Sequence, residues 1–196
     1  MDPRRRLPRA ELSTDVVHSA MGEFEAAHLR SRGYGVGIDE PYQHYQFAGR
    51  ADLVAWDSDS RAFLHIENRT RFPDLQEVAG SFNAKRAYLG AALGERLGVR
   101  RWASETHVIA ALWSSEVLHA VRMREQSFRA ICMDPSDAFA AWWAGNPPGE
   151  GATSTLVVMD PLASGRERPF VGLEAALTVR PRHRGYAALA ALLGNG

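Results

Sequence analysis

Residues 49–69 read Gly-Arg-Ala-Asp-Leu-Val-Ala-Trp-Asp-Ser-Asp-Ser-Arg-Ala-Phe-Leu-His-Ile-Glu-Asn-Arg, and this stretch decides the fold. Two runs rich in strand-forming residues flank the turn-forming Asp57-Ser58-Asp59-Ser60, which is the pattern of two β-strands joined by a short connection. Side chains alternate along a strand, so His65, Glu67 and Arg69 share one face while Leu64 and Ile66 take the other. Asp52 stands near the start of the first strand and Glu67 near the end of the second. Antiparallel pairing brings two such positions together, and a carboxylate among apolar strand residues is costly to bury unless something compensates it.

Working outward, the pattern predicts strands near 42–48, 51–57 and 61–69, preceded by a helix from about Ser13 to Arg32. Ser13 or Thr14 would cap that helix, Val17, Met21, Phe24 and His28 recur at helical spacing, and Gly33 would stop it. Pro73 and Asp74 open a second helix running to Leu97, with Leu75, Val78, Phe82, Tyr88 or Leu89, and Leu93 on its apolar side and Gly98 at its end. Thr106–Trp113 is a continuous apolar run of strand length, as a strand covered on both faces requires. Beyond it, Val117–Arg124 and Ser127–Met133 read as strands, Asp134–Ala144 as a short helix, Gly145–Gly151 as a linker, Thr155–Asp160 and Val171–Val179 as strands, and Tyr186–Leu193 as a helix. The order predicts an α/β protein with a mixed central sheet flanked by helices. Its divisions would be a basic flexible N-terminus over 1–12, a core domain over 13–145 and a C-terminal β/α extension over 146–196 packed on that core.

The 196 residues balance 23 Lys and Arg against 23 Asp and Glu with 45% apolar content, which excludes a disordered chain. No apolar run approaches the ~18 residues a bilayer span needs, and the basic start lacks the apolar segment of a secretory signal, so the expectation is a cytoplasmic protein without a membrane partner. Cys132 is the single cysteine, which excludes an internal disulfide and a cysteine-rich zinc site. Charge is polarised along the chain: 61–101 and 166–196 are net basic, 1–60 and 102–165 net acidic. Among the basic residues Lys85 is the one lysine. A site that needs a deprotonatable amine cannot accept arginine in its place, which singles Lys85 out. There is no Gly-rich phosphate loop, no zinc-spaced cluster and no Ser-His-Asp or Cys-His set.

The series Gly49, Asp52, Glu67-Asn68-Arg69, between an acid-bearing helix and a long second helix, resembles the restriction-endonuclease-like superfamily, the PD-(D/E)xK nucleases. The resemblance covers about residues 13–132 and implies a core in the order α-β-β-β-α-β. It implies that Asp52 and Glu67 hold Mg²⁺ or Mn²⁺ for hydrolysis of DNA phosphodiesters, the work of a metal-dependent endonuclease. Two carboxylates with nearby carbonyl oxygen suit such a hard cation, which keeps several waters. Arg69 stands where the family has lysine. Guanidinium cannot serve as a general base, though it can stabilise phosphate charge, and Lys85 on the following helix is the residue that can supply an amine. Glu23 is taken as a further metal-binding acid from the first helix, with Glu25 as its alternative; His65 and Gln76 are additional candidates. Arg4, Arg5, Arg6 and Arg9, and Arg180, Arg182, His183 and Arg184, can meet a polyanion, and Trp102, Trp113, Trp142 and Trp143 can stack on bases or fill a core. Two alternatives stay open: a nuclease-fold module that has lost hydrolysis and binds DNA or regulates, and an unrelated α/β protein in which the two acids only accept hydrogen bonds. A homodimer is also left open.

Overall fold

A computed structural model describes residues 15–44, 47–165 and 167–194. Its elements in chain order are α1 (Val16–Ser31), β1 (Gly35–His44), β2 (Phe47–Asp57), β3 (Ala62–Arg69), α2 (Leu75–Leu97), β4 (Ser104–Leu112), α3 (Ser115–Met123), α4 (Glu125–Ile131), α5 (Asp137–Ala144), β5 (Gly151–Met159), β6 (Phe170–Gly172), α6 (Leu173–Ala176) and α7 (Tyr186–Leu193). The six strands form one sheet in the order β1-β2-β3-β4-β5-β6. β1 to β3 are an antiparallel meander, β4 and β5 run parallel to β3, and β6 closes the far edge antiparallel. The protein is therefore α/β with a mixed open sheet. Among the described residues no helix is long and apolar enough to cross a membrane.

Strand alternation sorts the core. Leu53, Ala55, Leu64 and Ile66 face the cluster that holds Val17, Met21 and Leu29 of α1, whereas Val54 and Phe63 pack with Leu89 and Leu93 of α2 on the other face. Asp15, rather than Ser13 or Thr14, caps α1, its carboxylate accepting from the N–H groups of Val17 and His18; Ser13 and Thr14 lie outside the described residues, as does the whole 1–12 segment. Asp74 caps α2 in the same way through Gln76 and Glu77, and Gly98 ends it at φ 70°, a left-handed conformation that glycine adopts without a side-chain clash.

Three expectations give way. The segment 42–48 is not one strand: it takes in the end of β1 at His44 and the start of β2 at Phe47, β1 begins as early as Gly35, and Gly49 lies inside β2, ahead of the expected 51–57. Val117–Arg124 and Ser127–Met133 are helices α3 and α4, not strands. Val117, Leu118 and Val121 bury one helical stripe behind the Ser114 cap, and Phe128 and Ile131 bury another. Val171–Val179 is a strand only as far as Gly172, after which Leu173 and Ala176 anchor α6. Across the 145–151 loop, Gly151 bonds back to Ala103, and β5 pairs with β4 from Ser104↔Gly151 to Leu112↔Met159. The segment after residue 146 thus continues the sheet itself.

Candidate functional site

The β2/β3 ladder ends at Leu53↔Ile66. One pair further, the register sets Asp52 opposite Glu67, and the strands stop exchanging backbone bonds there. Instead, the Asn68 N–H donates to Asp52 Oδ2 at 2.8 Å. Both carboxylates lie within reach of one guanidinium, with Arg69 Nη1 3.4 Å from Asp52 Oδ2 and Nη2 3.1 Å from Glu67 Oε2. Asp52 and Glu67 therefore converge on one spot.

Lys85 joins them. It is the third buried position along α2 after Val78 and Phe82, and its Nζ donates to Glu67 Oε1 at 2.6 Å. His65 approaches the same oxygen, Nε2 to Oε1 at 2.9 Å. Burial alone would raise the Glu67 carboxyl, but His65 and Lys85 overcome this and hold it down at about 2. Behind His65 the polar chain continues, with 3.3 Å between its Nδ1 and His107 Nδ1 and 3.4 Å from His107 Nε2 to Glu105 Oε2. Burial pushes His107 down to about 4, so its ring is neutral at pH 7. Parallel pairing of β3 with β4 sets His65 beside His107.

The helix α1 contributes differently from expectation. Glu23 is exposed, whereas Glu25 is fully buried and accepts from Asn68 Nδ2 at 2.9 Å. His18, two turns before Glu25, stands 3.6 Å from Asp52 Oδ1, and the Asp52 carboxylate raises its pKa. Gln76 is exposed in the first turn of α2. His18 and Arg69 border a cleft of about 320 Å³ continued by Arg71, Asp74 and Glu77. A larger cleft, about 500 Å³, lies at the far end of α2 between Gly94 and Glu105.

Other candidates lie elsewhere. Trp102, Trp113 and Trp142 are core residues, and Trp143 stacks on His28 at 3.9 Å, so none of the four is an open platform. Arg182 and His183 are held by buried Asp160, at 3.0 and 2.8 Å, and Arg182 lies over the Trp113 ring. Arg180 and Arg184 are exposed, Cys132 is buried, and Arg4, Arg5, Arg6 and Arg9 lie outside the described residues.

Among the described residues no three His, Cys, Asp or Glu side chains form a metal-holding group. The donor set still fits a cation that takes one or two carboxylates and keeps waters. Among the described residues, Asp52 Oδ1 has His18 as its only neighbour in the ion-pair range and Glu67 Oε2 accepts one bond, leaving each a lone pair to offer. A scan against protein-family models finds no match, and a search of curated proteins finds none either.

Proposed function

We propose that this chain is a metal-dependent nuclease of the restriction-endonuclease-like kind, acting on DNA phosphodiesters. The observation that carries the reading is the buried amine of Lys85 at 2.6 Å from Glu67, beside Asp52 at the end of the β2/β3 ladder. In this reading the chain order α1-β1-β2-β3-α2-β4 is the nuclease core, and α2 supplies the amine that Arg69 cannot.

Asp52 and Glu67 would hold the ion, Mg²⁺ or Mn²⁺. When bound, such an ion makes its water more acidic and draws charge from a phosphoryl oxygen. Lys85 spends one of its three donors on Glu67 and has two left to orient water or a phosphate oxygen. Arg69, at the same spot as both carboxylates, would offer a phosphate a two-point contact and stabilise its charge. His18 sits at the cleft with a raised pKa and is placed to hold or pass a proton beside Asp52.

One observation favours the second reading, a binding module without hydrolysis: the Arg69 guanidinium already bridges the two carboxylates. The experiment is cleavage of single- and double-stranded DNA with Mg²⁺ or Mn²⁺, with Glu67→Ala and Lys85→Ala as controls. Cleavage that needs metal and is lost in both variants supports hydrolysis. Absence of cleavage by the folded protein with either metal overturns it in favour of the second reading.

A further inference from the structure

Glu25 of α1 and Asn68 of β3 are each buried, at 0% and 1% exposure, and their side chains meet. Asn68 Nδ2 donates to Glu25 Oε2 at 2.9 Å, while the other oxygen of each group, Glu25 Oε1 and Asn68 Oδ1, has no partner among the described residues. As a carboxylate facing a carboxamide, this arrangement would strand two buried acceptors and an ion held by a single bond. Stranded buried acceptors are costly, and a buried carboxylate needs more than one donor. One proton on Oε1 resolves both, because an acid O–H donates where a carboxylate cannot.

We propose that Glu25 is a neutral carboxylic acid joined to the Asn68 carboxamide by two hydrogen bonds, and that this clip positions Asp52. Asn68 is the link, since its side chain turns toward α1 while its backbone N–H holds Asp52 Oδ2 at 2.8 Å. Where the β2/β3 ladder has ended, that N–H holds the Asp52 carboxylate more closely than Arg69 at 3.4 Å or His18 at 3.6 Å does. Glu25 is thus a positioning residue acting from the opposite side of the sheet to Glu67. The surroundings agree. Burial pushes the Glu25 carboxyl up to about 8, opposed by the Asn68 bond and reinforced by Asp52, the charged group facing it from β2. On its own helix, His18 is turned to Asp52, and the β3 residue facing Glu25 is the uncharged Asn68. That Asp52 so held serves hydrolysis rests on the proposed function; the proton on Glu25 does not.

Glu25→Gln tests this directly, because a carboxamide offers N–H₂ where the acid offers O–H and can keep both bonds, whereas Glu25→Ala removes both. The infrared spectrum of the wild type at neutral pH should contain the carbonyl stretch of a buried protonated carboxyl that Glu25→Gln lacks. The urea midpoint of the wild type should fall relative to Glu25→Gln as pH rises from about 4.5 to about 8, since the unfolded chain ionises near 4.5 and the folded one keeps its proton until about 8. No Glu25-dependent carboxyl band, or the same pH dependence in wild type and Glu25→Gln, overturns the proposal. If the wild type cleaves DNA, Glu25→Gln should retain cleavage and Glu25→Ala lose it; loss in both overturns the positioning role. A carboxyl band and the pH difference in a protein that cleaves nothing uphold the clip and overturn the nuclease reading alone.

Discussion

Replacing Lys85 by methionine keeps the length and apolar stem of the side chain and removes the charge that faces Glu67. With 7% exposure at Lys85 and 1% at Glu67, water cannot take over the lost partner. The Glu67 carboxyl is held near 2 against an ordinary 4.5, a difference of about 3 kcal/mol at ~1.4 kcal/mol per unit. His65 and Arg69 keep part of that stabilisation, while removing one member of a buried ion pair costs about 3–5 kcal/mol in general. Lys85→Met should therefore destabilise by about 2–3 kcal/mol at pH 7, measured by urea unfolding. The sign with pH follows from a depressed carboxyl: the stabilisation is fully present above about 4.5 and fades as pH falls toward 2, so the penalty of Lys85→Met should shrink with acidification. Adding Glu67→Gln to Lys85→Met should cost less than the two single changes together, because the double variant leaves no buried charge alone. A penalty below about 0.5 kcal/mol, or strict additivity in the double variant, would refute the claim that this pair anchors the site.

Arg69→Lys should raise metal-dependent cleavage, read by the rate on a labelled duplex; an unchanged rate would put Arg69 outside the chemistry. Asp74→Ala removes the carboxylate that caps α2 and should cost about 1 kcal/mol in chemical denaturation, with the same midpoint as wild type arguing that the first turn needs no side-chain acceptor. Asp160→Asn loosens Arg182 and His183 from the ends of β4 and β5, so trypsin should cut the 180–184 segment faster than in the wild type, and equal digestion rates would contradict that tether.

The two strands around the 57–60 turn, both long helices and the buried fourth strand were legible in the sequence, because each shows one clear period and a capping or breaking residue. The convergence of Asp52 with Glu67 followed from the same alternation, and Lys85 was visible as the single amine in an arginine-rich chain. Helices α3 and α4 were not legible. Val117, Val121 and Met123 fit alternation as well as Val117, Leu118 and Val121 fit a helix, and nine and seven residues are too few to separate the periods. Glu23 and Glu25 straddle the apolar line on α1, so the choice between them needed the packing of Asn68 against that helix. His18 carried a signal, seven residues before Glu25 and so on the same helical face. His107 carried none, since its contact with His65 depends on the parallel register of β3 and β4, which neighbouring residues in the chain do not encode.

The solitary lysine has a practical consequence. With its ammonium covered by Glu67 beneath α2, an acylating reagent has one lysine target and meets it only when the helix lifts from the sheet. A lysine-specific protease likewise has a single bond to cut, in the middle of a 23-residue helix. The rate of modification or scission at Lys85 therefore reports how often this part of the fold opens, without any probe being introduced.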